Sequence, residues 1–342
     1  MHTFCYFRHV KRLVSILIPA KNEAAFIEDL LCSIQVQTHQ YWEAIIVDDH
    51  STDQTCSLVE SFSKTDPRIK CLKNQGKGII HALRTAFIYA EGNWITRMDA
   101  DDLMKPRKLE VLLECLSIGG SNAVAVGGVQ YFSEEGVKSG YKNYEQWLNN
   151  LTQKGTNFKE IFRECVIPSP SWMLHRKTLE NIGGFQSDRY PEDYDLAFRM
   201  WLYDLDVVPN AEIVHEWRDH PARTSRTSEV YKDYTFTDLK WFYFSNFCRN
   251  NERELVVLGT GFRGKKLAAH LIERKVHFRW ISHNEKKIGK DIYNQKIEPL
   301  NGVDWKCIQL IATVGNEKGR RQVNQMAENA GLVLLEDLFH FA

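Results

Sequence analysis

An alternation repeats through residues 13–98: an apolar run, a polar break, then a segment whose apolar residues recur at helical spacing. The first run, 13–18, stops at Pro19, and 24–36 is periodic as a helix is. Residues 44–47 form a second run, closed by Asp48 and Asp49. Thr52 then opens a helix with Asp53 in its first turn, where a carboxylate suits the exposed N–H groups. Residues 69–72 and 94–98 supply two more strands, with a helix over 79–90 between them. Strands separated by helices pair in parallel. The expectation is therefore an α/β fold, a mixed but mainly parallel sheet with helices on both faces and ligands at the carboxyl ends of its strands. Past Gly119 the rhythm loosens, and the mixed region through 124–130, 166–174 and 205–208 is where a substrate-specific part would lie.

The 342 residues exceed what one domain of about 150 needs. Residues 228–250 are crowded with aromatics (Tyr231, Tyr234, Phe236, Trp241, Phe242, Tyr243 and Phe244) and read as a packing helix between two domains. Beyond it a strand over 255–258 runs into Gly259, Gly261 and Gly264 and a helix over 265–274. The division expected is an extension at 1–12, a first domain at 13–227, the linker at 228–250 and a smaller α/β domain at 251–342. Lys plus Arg and Asp plus Glu balance at 44 each, so no global field draws in nucleic acid, and any phosphate recognition is local. The eight cysteines are scattered without a Cys-x-x-Cys pair, which fits reduced thiols in a cytoplasmic protein. The first apolar run is too short for a signal peptide or a membrane span.

The most informative stretch is Arg97-Met-Asp-Ala-Asp-Asp102, immediately after a strand. Asp99, Asp101 and Asp102 repel one another. A hard divalent cation, Mg²⁺ or Mn²⁺, would relieve that repulsion and hold the phosphates of a nucleotide. A solvated acidic loop capping the helix that begins near Pro106 accommodates the same residues. Arg97 either pairs with this cluster or reaches a phosphate.

Four motifs occur in order: Val14-Ser-Ile-Leu-Ile-Pro-Ala-Lys-Asn-Glu23, Ile46-Val-Asp-Asp-His-Ser-Thr-Asp53, Met98-Asp-Ala-Asp-Asp102, and Gly183-Gly-Phe185 with Glu192-Asp-Tyr-Asp-Leu196. Together they resemble the signature of family-two glycosyltransferases with the GT-A fold, over residues 13–225. The resemblance implies an inverting transfer of a sugar from a nucleoside-diphosphate donor, UDP-linked by family habit, to a glycan or lipid-linked acceptor, with Mn²⁺ or Mg²⁺ as cofactor. It points to Pro19, Ala20 and Glu23 as nucleoside contacts, to Asp49 as acceptor of a hydrogen bond from the base, and to Asp99 at the ribose or the metal. Asp101 becomes the principal carboxylate ligand, and His215 matches the family's histidine ligand or is a satisfied polar group near a strand end. Lys77 and Gly78 lie in a turn beside the donor or in a plain hairpin-like turn, Asp193 is the general base with Glu192 as the second candidate unless both only enrich a helix's first turn, and Trp172 either stacks on an acceptor sugar or belongs to the core. Arg218, Arg223 and Arg226 suit either a lid over the diphosphate or an exit loop.

In the C-terminal part, Gly259-Thr-Gly-Phe-Arg-Gly264 has the context of a dinucleotide fingerprint, but Ser282-His-Asn284 stands where a ribose-binding acid is expected. That argues against nicotinamide redox chemistry. The segment resembles small Rossmann-like domains attached to bacterial glycosyltransferases, and nucleotide-binding, regulatory and packing roles all fit. The resemblance implies a bacterial cytoplasmic protein and leaves peripheral association with the inner face of the membrane open. The competing functions are a nucleotidyltransferase that makes nucleotide sugars, which usually needs a glycine-rich basic loop absent from Pro19-Ala-Lys-Asn-Glu23, and a non-catalytic nucleotide-binding scaffold.

Overall fold

The computed structural model of the chain describes residues 12–227 and 236–342. It divides into two compact units: one built from residues up to 157 together with 166–221, the other from 158–165 together with 222–342. Two features differ from the expected division: the boundary falls at 221 instead of 227, and the segment 158–165 leaves the first unit for the second. Most of the expected extension at 1–12, and residues 228–235 of the expected linker, lie outside the described residues.

In the first unit, strands β1 (Val14–Ala20), β2 (Trp42–Asp48), β3 (Ile69–Lys73) and β4 (Trp94–Arg97) run parallel in the order β3-β2-β1-β4. Strands β5 (Leu103–Met104), β6 (Ala123–Val126), β7 (Gly128–Phe132), β8 (Trp172–His175), β9 (Asp206–Val208) and β10 (Ile213–Arg218) follow. β8 extends the sheet antiparallel to β4 and β6, and β9 pairs parallel with β6, so the sheet is mixed but mainly parallel, as expected. Helices α1 (Ile27–Gln35), α2 (Thr55–Thr65), α3 (Ile79–Tyr89), α4 (Lys108–Gly119), α5 (Ser139–Lys154), α6 (Arg176–Asn181) and α7 (Glu192–Leu202) complete the unit.

The near-continuous apolar composition of β1 and β2 follows from burial on both faces. Val14, Ile16 and Ile18 of β1, with Ala44 and Ile46 of β2, enter one core with Leu30, Leu31 and Ile34 of α1 and Leu109 and Leu112 of α4. Leu17, Ile45 and Val47, on the opposite face, are also fully buried. Each such aliphatic side chain contributes about 1.5–3 kcal/mol on leaving water. Because Ala20 registers with Asp48, and Leu17 with Arg97, the loops after β1, β2 and β4 emerge at one edge. A second small sheet, β5-β10-β7, brings β10 against the end of the acidic loop through His215↔Met104 and Glu216↔Leu103.

The second unit has a sheet ordered β13-β14-β12-β11-β15-β16, from β11 (Glu254–Leu258), β12 (Arg279–Ile281), β13 (Asp291–Ile292), β14 (Gln295–Glu298), β15 (Ile308–Ala312) and β16 (Leu338–His340). All its pairings are parallel except β13 with β14. Its core gathers Val256, Leu258, Ile281, Leu310 and Ala312 with Val323 and Ala327 of the helix Glu317–Ala330. The segment 158–165 is held in this unit by Phe162, which stacks on Phe341 at 5.4 Å and meets Phe339 edge-on at 5.2 Å. The buried Lys240, on the helix Thr237–Tyr243, donates to the carbonyls of Arg163 and Phe341.

Candidate active site

The loop after β4 places Asp99, Asp101 and Asp102 in three different environments. Asp99 is partly exposed and accepts from Arg97 Nη2 at 2.7 Å. Arg97, almost fully buried, donates through Nη1 to Glu192 Oε1 at 2.8 Å, so one guanidinium ties the acidic loop to the first turn of α7. Of the two sequence options for Arg97, the structure shows the pairing. Burial opposes its charge, but Asp99, Glu192 and Asp193 hold its pKa above the ordinary value.

Asp102 is buried. Its Oδ2 accepts from Nε2 of His215 at 3.0 Å, and its Oδ1 from the Arg218 backbone N–H at 2.8 Å. His215 has no exposed surface, and its other nitrogen, Nδ1, lies 3.3 Å from Nζ of the fully buried Lys108. Lys108 also donates to Pro170 O and Met98 Sδ, so its three N–H bonds meet three acceptors when Nδ1 carries the lone pair. Burial pulls Lys108 down to about 7, against the opposing influence of Asp102 and Asp99. This chain of contacts corrects the metal-ligand expectation for His215: both ring nitrogens are engaged behind the acidic loop.

The imidazole beside the expected ligand is instead His220, whose Nε2 lies 3.0 Å from Asp101 Oδ2 with both side chains about one-seventh exposed. Sequence reasoning missed it. The available signal was its place in the loop after β10, where side chains leave the sheet. Arg218 is clamped between the rings of Phe26 and Phe132, with its Nε donating to Asp101 O and its Nη2 to Asp29. It braces the acidic loop.

Glu23, after β1, reports the charge gathered here. Burial, then Asp101, Asp99, Asp102 and Asp53, push it up to about 8. Pro19 and Ala20 end β1 on the same edge. Asp49 accepts from Gly78 N at 2.9 Å, Asn74 Nδ2 at 2.6 Å and Lys21 Nζ at 3.3 Å. Burial pushes its carboxyl up, but these hydrogen bonds outweigh burial and hold it below the ordinary range. Gly78 begins α3 at φ +85° and ψ 169°, a conformation close to glycine-only, and Lys77 before it is exposed.

Asp193 opens α7 beside Glu192, partly exposed at its surface although its carboxyl is deeply enclosed. Burial, then Glu192, push it up to about 7, with Arg97 and the Tyr194 N–H pulling the other way. Next to it, Gly183 and Gly184 turn at φ +87° and +49°. Arg199 of α7 donates to the carbonyls of Ile182 and Gly184, and Arg84 of α3 to that of Phe185. Trp172 is 1 % exposed in β8, its carbonyl accepting from Thr96. The stacking option is thereby corrected: Trp172 is core.

Known proteins carry the same sequence pattern. The sequence profile described as glycosyl transferase family 2 matches residues 15–183. An uncharacterized glycosyltransferase of Haemophilus influenzae is 34% identical over 219 residues, which cover 62% of this chain and 67% of that protein. The chain belongs to the family-2 glycosyltransferases. The UDP-Glc:alpha-D-GlcNAc-diphosphoundecaprenol beta-1,3-glucosyltransferase WfgD of Escherichia coli is 39% identical over 197 residues, 56% of this chain and 68% of its own. Among solved structures, S. aureus TarS 1-349 in complex with UDP-GlcNAc superposes with a TM-score of 0.51 at 17% identity, over 77% of this chain and 72% of that one, a likeness of fold. Membership makes the protein a sugar-transferring enzyme and sets aside the nucleotidyltransferase and scaffold readings. Among the described residues, no helix is long and apolar enough to cross a membrane.

Proposed function

We propose that the first unit transfers a sugar, with inversion, from a UDP-linked donor to a glycan or lipid-linked acceptor, using a divalent cation and Asp193 as the base. What supports this reading is the acidic loop after β4, where Asp101 Oδ2 lies 3.0 Å from His220 Nε2 at the edge that also carries Asp49 and Glu23; burial first, and then these carboxylates, push Glu23 up to about 8. Carboxylates gathered in this way suit a hard divalent cation. Asp101 and His220 supply an oxygen and an imidazole nitrogen, a donor set compatible with Mn²⁺ or Mg²⁺. Among the described residues, no three His, Cys, Asp or Glu side chains gather as a metal site; the proposed ion would take its remaining ligands from substrate phosphates and water. Once bound, the ion would neutralise charge developing on the departing diphosphate.

The chain's own residues do the rest. Asp49, held ionised, would accept from the nucleobase through Oδ2, which Lys21 also reaches, while Gly78 and Asn74 fix its other oxygen. Asp193 takes the proton from the acceptor hydroxyl as that oxygen attacks the anomeric carbon, and a pKa near 7 lets one group accept a proton at neutral pH and release it afterwards. Arg97 links Asp99 to Glu192 and so keeps the donor and acceptor sides in fixed relation. The diphosphoundecaprenol-linked acceptor named for WfgD supports a lipid-diphosphate-linked saccharide as acceptor here, and the cytoplasm, with its nucleotide sugars, as the setting. The test is release of UDP from a panel of UDP-sugars with a diphospholipid-linked acceptor. Release should require both acceptor and Mn²⁺ or Mg²⁺, and equal release in the presence of EDTA would refute the metal assignment.

A further inference from the structure

The carboxyl ends of β11 and β15 meet where the strand order of the second unit reverses, with β12 and β14 lying to one side and β16 to the other. Open α/β sheets take their ligands at such a point. β11 leads through Gly259, at φ +115°, into the twelve-residue helix Phe262–Glu273. This turn is tight: a Cβ on Gly264 would lie 2.1 Å from the Gly259 carbonyl oxygen. No side chain caps the helix, so its first N–H groups face the crevice without a capping acceptor.

Two guanidiniums converge on the loop after β15. Arg320 Nη1 donates to Gly315 O at 2.6 Å, and a Cβ on Gly315 would lie 2.8 Å from Nη1 of Arg263. Arg263 donates no hydrogen bond to any described residue. Burial lowers the Arg320 pKa, and Arg163 and Arg263 lower it further, while Glu160 and Glu317 oppose them. His340, at the end of β16, is 7 % exposed; its Nε2 bonds Asn324, and its Nδ1 is buried without a hydrogen-bond partner. Burial first, and then Arg320 and Arg163, pull that imidazole down to about 4. The half-buried Glu164 answers part of this charge, but desolvation raises its pKa against Lys240, Arg263 and Arg163.

We propose that the second unit carries its own diphosphate-binding site, formed by the Gly259–Gly264 turn with Arg263 and Arg320 and needing no metal. Paired guanidiniums and an open helix start together suit phosphate oxygens. With Ser282-His-Asn284 after β12, no carboxylate is placed to read a ribose, so the diphosphate itself is the determinant. This site is independent of the transfer reaction assigned to the first unit.

The test uses the full chain carrying Asp101→Asn, in EDTA, so that metal-assisted donor binding is silent, with titration calorimetry against inorganic pyrophosphate and, separately, UDP. One saturable equivalent is expected for each anion. Equal affinities identify the diphosphate alone as the ligand, and tighter UDP identifies a nucleotide. Arg263→Gln removes no native hydrogen bond and should weaken binding roughly tenfold or more without lowering the melting temperature. Arg263→Lys should recover part of the loss, and Mn²⁺-dependent transfer in the otherwise native chain should be unaffected by either change. Absence of saturable binding for both anions, or binding that Arg263→Gln and Arg320→Gln both leave unchanged, overturns the proposal.

Discussion

Asp193 must hold a proton weakly enough to release it and strongly enough to take it. Its elevation to about 7 sets the direction of the pH response. The base works ionised, so kcat/KM should climb as pH rises through about 7 and level above it, and Asp193→Asn should abolish that limb while lowering kcat about 10²- to 10⁴-fold. A pH–rate profile of both proteins, with donor binding measured in parallel, checks this; donor affinity should survive the change. The two imidazoles separate structure from binding. His215→Ala strips Asp102 and Lys108 of the buried group between them and should cost about 3 kcal/mol in urea unfolding, in the range for breaking a buried charged contact. His220→Ala removes one partly buried hydrogen bond and should cost about 1 kcal/mol, less than His215→Ala. It should nevertheless raise the Mn²⁺ concentration for half-maximal rate by at least the roughly 10- to 100-fold typical of weakened metal sites. The acidic motif and Glu192-Asp193 were legible because their spacing is local. Which of the two histidines faces the pocket was not, since it depends on β10 pairing with β5 so that His215 turns inward.

At the scale of elements, the turn before α3 carries a strain that only glycine accommodates. Nothing lies within 4 Å of a Cβ built on Gly78, so Gly78→Ala isolates the backbone cost. With φ +85° and ψ 169°, that cost should be about 1–3 kcal/mol. If the turn relaxes instead, the Gly78 N–H leaves Asp49 and donor KM rises. Chemical denaturation together with KM for the donor distinguishes the two, and a variant unchanged in both would show that the turn is not constrained. The strands and helices through 98 were readable from apolar periodicity, with ends shifted by at most three residues: α2 begins at Thr55, because Asp53 accepts from the Thr55 hydroxyl and N–H ahead of the helix. Periodicity says little about β8, which takes only the last three residues of the run 166–174 together with His175, or about Trp172, whose burial depends on β4 and β6 flanking it.

For the whole molecule, the sequence read two α/β domains but not the crossing of 158–165, because Phe162 finds Phe339 and Phe341 at a sequence distance no local pattern records. Each unit has a core of its own, so ligand-linked stability should follow the unit that holds the ligand's partners. Mn²⁺ with UDP at about one hundred times the dissociation constant should add about 2.7 kcal/mol to the stability of the first unit. Asp101→Asn should remove the Mn²⁺-dependent part of that gain. Gly264→Ala places a Cβ 2.1 Å from the Gly259 carbonyl oxygen, a contact the second unit can accept only by moving backbone. Overpacking of this kind costs about 1–3 kcal/mol, occasionally more, and the Mn²⁺-dependent gain should persist through it. Scanning calorimetry of the three proteins with UDP, with and without Mn²⁺, decides the matter. A metal-dependent shift that survives Asp101→Asn but vanishes in Gly264→Ala would move the metal–nucleotide site to the second unit and overturn the assignment of chemistry to the carboxylates after β4.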